Sequence, residues 1–115
     1  MRVAAIQYKG DKLGWRAHKR ALLGLIEAAL KRGAQLVVTP EMCATGYLFK
    51  DQREALSFIE PWGGAWAKAL SALASRYQAL LVVGLIDAVG EALCNSAWLF
   101  LPSGERLRYH KRLLY

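Results

Sequence analysis

The sequence predicts an α/β fold: a mixed sheet covered by two main helices. Three observations carry this. A strand, an amphipathic helix and a second strand fill the first forty residues, a βαβ unit that implies a parallel pair. Ala79 to Ile86 is nearly all apolar, as in a strand covered on both faces, and a turn and two more strand-like segments follow it. The chain has 115 residues, of which 55% are apolar, enough for one domain with a real core and too apolar for a disordered tail. That share is rich for a lone domain, so part of the apolar surface is expected to face a partner.

Taken in order, Val3 to Tyr8 is a short apolar run of strand length, broken by Gly10 and Asp11. From Trp15 to Lys31 the period becomes helical, with Trp15, Leu22, Ile26 and Ala29 on one face and Arg16, Arg20, Glu27 and Lys31 mostly on the other. Lys31 and Arg32 before Gly33 form a helix stop: cations suit the negative helix end, and glycine suits the left-handed position beyond it. Ala34 to Thr39 is a second strand, ended by Pro40. Residues 40–60 read as irregular, and Pro61 as an early helical residue. Trp66, Leu70, Leu73 and Tyr77 then form one buried stripe. Val89-Gly90-Glu91 turns the chain after the third strand. Ala92 to Leu101 is a strand with Leu93, Asn95, Ala97, Leu99 and Leu101 on one face. Leu101-Pro102-Ser103-Gly104 has a type I turn pattern. The strand from Arg106 alternates Leu107, Tyr109 and Lys111 with Arg106, Arg108 and His110.

Charge and cysteine usage exclude several classes. The net charge is +7, but it sits at the two ends: +6 over residues 1–35 and +3 over residues 105–115, around a middle of −2. That is no single basic stripe, and nothing resembles a nucleic-acid motif, so no nucleic-acid partner is expected. Cys43 and Cys94 stand far apart with no CxxC and no histidine at ligand spacing, which argues against zinc and against a disulfide framework. No apolar run reaches membrane-spanning length and the N-terminus lacks a secretory apolar stretch, so the expectation is a cytoplasmic protein without a membrane partner.

Four residues stand out chemically. Glu41 follows a buried-looking strand and a proline, at the strand end where ligands gather in open α/β sheets. Two readings fit it: a solvated loop acid, or a base whose pKa burial raises toward proton-transfer values. Strand parity aims Lys111 the way Leu107 points; it is either part of a solvated basic edge or a cation facing a carboxylate or anionic ligand. Asn95 lies on an apolar face, as a satisfied amide or as a ligand to substrate. Cys43 lies two residues from Glu41, either a small buried hydrophobe or a thiol beside a base. His18 and His110 do not suggest a triad.

Together these segments resemble a family. The opening VAAIQ, the helix ending in RGAQLVV, then TPEMCATGYLF, then NSAWLFLPSGERLRYHKRLLY look like the N-terminal half of the nitrilase, or carbon–nitrogen hydrolase, superfamily. The Pro-Glu-x-x-x-Thr-Gly-Tyr box and the Tyr-x-Lys-x-x-Leu box lie about seventy residues apart in the family's order. The resemblance implies half of an αββα sandwich, with residues 1–115 as a single N-terminal domain fragment whose C-terminal half is missing. It also implies hydrolysis of amide, nitrile or carbamoyl small molecules by Cys, Glu and Lys, with no cofactor and no metal. Glu41 matches the family's general base and Lys111 its oxyanion-stabilising lysine; Tyr47 and Asn95 stand as substrate-binding candidates. The family's nucleophilic cysteine comes some tens of residues after that lysine, and neither Cys43 nor Cys94 occupies its motif. The expectation is therefore a truncated or split hydrolase half, inactive alone, pairing with another copy or with a complementary C-terminal half. The alternative is a degenerate nitrilase-like interaction module.

Overall fold

The computed structural model describes residues 1–113, and they form one five-stranded sheet in the order β1-β2-β3-β4-β5. The strands are β1 (Val3–Ala5), β2 (Leu36–Val38), β3 (Leu80–Val89), β4 (Ala92–Phe100) and β5 (Arg106–Leu113). β1, β2 and β3 are parallel, and β3, β4 and β5 are antiparallel, giving the mixed sheet the sequence implies. The helices are α1 (Trp15–Lys31), α2 (Gln52–Leu56) and α3 (Ala65–Tyr77). Leu114, the last residue of the lysine box, lies outside the described residues.

α1 has the bounds its periodicity predicts. Leu22, Ile26 and Leu30 are its buried stripe, and Gly33 takes φ 92° as its N–H closes on the Leu30 carbonyl at 2.9 Å. α3 buries Trp66, Ala67, Leu70 and Ala74. Pro61 is not an early residue of that helix. Its carbonyl accepts the Gly64 N–H at 3.0 Å in a separate turn, and Gly64, extended, precedes the first helical residue. The segment read as irregular contains α2, capped by Asp51, whose carboxylate accepts the Glu54 N–H at 2.9 Å.

The two faces of the sheet differ. On one, α1 and α3 close a continuous core over Val37, Leu81, Val83, Leu85, Trp98 and Phe100. The other carries a second, smaller core of Met42, Ala55, Ile86 and Leu93 beneath the 40–60 segment. Beyond that end, Leu36, Val38, Val82, Ala97 and Leu99 are only half-buried, and Leu107 and Tyr109 are exposed. β3 is thus covered on both faces only from Gly84 to Asp87. The expected apolar face of β4 is also the less buried one past Ser96: Trp98 and Phe100, on the opposite side, are fully enclosed because the helices lie there.

Candidate functional site

Three segments converge at the carboxyl end of the parallel strands. The first is the strap that leaves β2. Thr39 donates its N–H to the Val82 carbonyl, Gly84 donates its N–H to Thr39 Oγ1 at 3.0 Å, and Cys43 donates its N–H to the Gly84 carbonyl at 3.1 Å. Residues 39–43 are therefore bolted flat onto β3. Gly84 makes this possible, since a Cβ there would stand 2.4 Å from the Pro40 carbonyl oxygen and 2.6 Å from Glu41 Cα. Met42, buried with φ 47°, turns the chain directly after Glu41.

The second and third segments are β4 and β5. Their ladder slips between Asn95 and Ser96, so Asn95 opposes Arg112, Ser96 opposes His110, and Lys111 is the extra residue. The bulge leaves Lys111 without a cross-strand partner on β4. Lys111 Nζ pairs with Glu41 Oε1. Glu41 Oε2 accepts the Asn95 amide at 3.0 Å and the Tyr47 hydroxyl at 2.8 Å.

Every residue singled out from the sequence at this site is thus within one hydrogen-bonded cluster. Tyr47 and Asn95, read as substrate contacts, hold the carboxylate of Glu41. The pair stays wet, with 42% of the Glu41 side chain and 50% of Lys111 exposed. The reading of Glu41 as a base rested on burial raising its pKa, and the shift runs the other way. The Lys111 ammonium, then the Asn95 and Tyr47 donors, outweigh desolvation and hold its carboxyl at about 2.

The remaining candidates lie elsewhere. Cys43 is buried within the strap, and burial pushes its thiol up to about 11, far from a reactive thiolate. Cys94 is buried too. His18 Nδ1 meets the Tyr8 hydroxyl at 2.6 Å. His110 Nδ1 meets Ser96 Oγ at 2.9 Å and stands 3.8 Å from Asp87 Oδ2. Among the described residues no group of three or more His, Cys, Asp or Glu is placed to hold a metal, and no helix is long and apolar enough to cross a membrane. Sequence reasoning missed Gly84, although an isolated glycine inside an apolar strand is itself a signal of close backbone approach.

A mixed sheet backed by two helices, with a carboxylate and an ammonium joined across its strand ends, defines an α/β unit of the nitrilase fold. The chain belongs to the carbon–nitrogen hydrolase family, whose model matches residues 2–115. It is 35% identical over 92 residues to a nitrilase of Pyrococcus abyssi, covering 79% of this chain and 35% of that one. It is 30% identical over 106 residues to the protein N-terminal amidase of Schizosaccharomyces pombe, covering 85% and 37%. A crystal structure of an N-terminal amidase superposes with a TM-score of 0.81 at 20% identity, over 98% of this chain and 28% of that one. The chain thus spans little more than a third of the curated relatives it matches.

Proposed function

We propose that this chain supplies the general base and the oxyanion cation of a carbon–nitrogen hydrolase acting on non-peptide C–N bonds. The observation that carries the reading is the Glu41–Lys111 pair, joined across 70 positions and braced by Asn95 and Tyr47. In the mechanism, a cysteine thiol from outside these residues loses its proton to Glu41 as sulfur attacks the C–N carbon. Lys111 stabilises the charge that develops on the former carbonyl oxygen or nitrile nitrogen. With an amide, the leaving nitrogen takes the proton from Glu41 and a thioester remains; with a nitrile, the proton goes to the nitrile nitrogen, and the thioimidate adds one water and loses ammonia to reach the same thioester. Glu41 then deprotonates the water whose attack releases the acid and returns that proton to the cysteine sulfur.

With both described thiols buried, the chain alone orients water at most and turns over no amide. Substrate or thiol entering between Glu41 and Lys111 loosens the ion pair that depresses the carboxyl, which moves its pKa toward a working base. The open sheet face supports the partner side of the reading: it fits a complementary C-terminal half or a second copy. A cytoplasmic setting is part of the same proposal.

The test is reconstitution. The chain is mixed with the part of the Pyrococcus abyssi nitrilase that it does not match, and hydrolysis of simple amides and nitriles is followed. Turnover in the mixture, lost in Glu41→Gln and in Lys111→Ala, is the expected result. Hydrolysis by the chain alone that Glu41→Gln abolishes would contradict it. The second reading, an interaction module without catalysis, draws on the buried thiols and the open face; a tight complex without turnover would favour it.

A further inference from the structure

On the helix side of the sheet, behind the Glu41–Lys111 pair, lies a buried polar cluster that the proposed mechanism does not use. Asp87 follows Leu85 by two positions on β3, and Ser96 precedes Trp98 by two on β4, so both point with those side chains into the helix-side core. They are 3% and 2% exposed. Asp87 Oδ1 accepts the Ala88 N–H at 2.7 Å, and Oδ2 accepts the Trp98 indole N–H at 2.9 Å. From β5, the Arg108 guanidinium stands 3.5 Å and His110 Nδ1 3.8 Å from the same Oδ2. His110 Nδ1 also meets Ser96 Oγ at 2.9 Å.

The cluster stands at a particular place in the ladder. Ser96 and His110 oppose each other, and theirs is the last regular rung before the bulge. The next residue on β4 is Asn95, and the next on β5 is Lys111. Those two grip opposite oxygens of one carboxylate: Lys111 pairs with Glu41 Oε1, and Asn95 donates to Oε2 at 3.0 Å. Lys111 has no residue opposite it on β4, so pairing at its own position cannot fix where its side chain starts. The rung beside it can. A side-chain bond between directly opposed residues holds two strands in register, and a buried network with every polar atom partnered admits one arrangement where apolar contacts admit several.

Resting on the hydrolase reading, we infer that His110 and Ser96, anchored by Asp87, are positioning residues of the site: their bond across the sheet sets the spacing at which Lys111 and Asn95 reach the two oxygens of Glu41. Both act through their chain neighbours. Arg108 supplies a control inside the same cluster. It shares Asp87 with His110 but opposes Trp98, two rungs further from the bulge, and its guanidinium lies 4.5 Å from the centre of the Trp62 ring. Loss of Arg108 loosens the cluster without releasing the rung.

The test titrates the carboxyl carbon of the Glu41 side chain by NMR in the isotope-labelled 115-residue chain, which reads the grip of Lys111 and Asn95 rather than stability at large. The parent midpoint is about 2, against an ordinary 4.5. His110→Leu and, separately, Ser96→Ala are expected to raise it by about one pH unit or more. His110→Asn, whose amide stands where Nδ1 stands and can bond Ser96, should restore the parent midpoint. Arg108→Leu should leave it unmoved. Ser96→Ala removes a single oxygen, so it reads the rung even if His110→Leu does not fold. A midpoint unmoved by Ser96→Ala, the same rise in Arg108→Leu, or no recovery in His110→Asn would each overturn the inference. Reconstitution separates it from the hydrolase reading. If the midpoint moves as expected while the reconstituted mixture yields no turnover, the positioning of Glu41's partners stands and the hydrolase reading falls. Turnover that Glu41→Gln abolishes, with a midpoint unmoved by both His110→Leu and Ser96→Ala, gives the reverse.

Discussion

The two faces of the sheet are built from similar residues yet do different work. On the helix face, Leu22, Ile26 and Leu70 from α1 and α3 meet Leu81, Val83, Trp98 and Phe100, and all are essentially inaccessible. On the other face, Val82, Leu99, Leu107 and Tyr109 belong to the alternate ladder rows, but only the strap and α2 cover it, at the end where Glu41 sits. The difference shows that fold stability and the candidate site draw on separate surfaces. The helix face holds the sheet together, and the opposite face holds Glu41 at one end while leaving an apolar area uncovered.

Substitutions can break this contrast. The largest effect belongs to the helix face: Phe100→Ala should cost ~3–5 kcal/mol in urea denaturation, because the enclosed site cannot collapse. A loss below about 1 kcal/mol there would mean the helix layer is not the stabilising one. Gly84→Ala comes next. Its methyl group collides with backbone at Pro40 and Glu41, not with a side chain that can swing away, so about 1–3 kcal/mol should be lost. The strap should lift from β3 with it, and amide signals of Glu41 and Cys43 should move while those of Leu22 and Ile26 stay.

On the open face the expected change is in association, not stability. Sedimentation should show the chain self-associating, and Leu107→Lys with Tyr109→Glu should shift it to monomer at a cost within ~0.5 kcal/mol. A parent chain that sediments as a compact monomer would remove the argument for a partner on this face.

The smallest effect is the pH dependence at the strap. The folded Glu41 carboxyl is held at about 2 against an ordinary 4.5, so its ionised form is favoured by folding. Its contribution is full above pH 4.5 and is lost as pH falls toward 2. Exposure of both partners keeps it modest. Lys111→Ala and Asn95→Ala should flatten the fall in stability across that window, with Lys111→Ala the stronger of the two.

Much of this was legible in the sequence, for reasons that differ by element. α1 is announced twice, by its apolar period and by its stop at Lys31-Arg32-Gly33, and its bounds match. α2 was missed although Asp51 and Glu54 have helix-cap spacing, because five residues are too few to show a period. The face of β4 could not be chosen by parity. Leu93, Ala97 and Leu99 alternate with Cys94, Trp98 and Phe100, so both sides read as apolar, and the helices decide between them.

At the site, the boxes around Glu41 and Lys111 pointed to both residues through family resemblance. Their meeting was legible from the strand-end position of Glu41 and the parity of Lys111 with Leu107 and Tyr109, whereas the bulge at Asn95/Ser96 leaves no mark in the strand's alternation. The direction of the Glu41 shift was closed to the sequence as well, since burial and donors oppose each other and only the positions of Lys111, Asn95 and Tyr47 settle the sign.

The central claim is that Glu41 and Lys111 form one braced site. It is tested most directly by titrating the carboxyl carbon of the Glu41 side chain by NMR in the parent chain and in Lys111→Ala. The account predicts a midpoint near 2 in the parent and a clear rise toward 4.5 in the variant. A parent midpoint near 4.5 that Lys111→Ala leaves unchanged would contradict it.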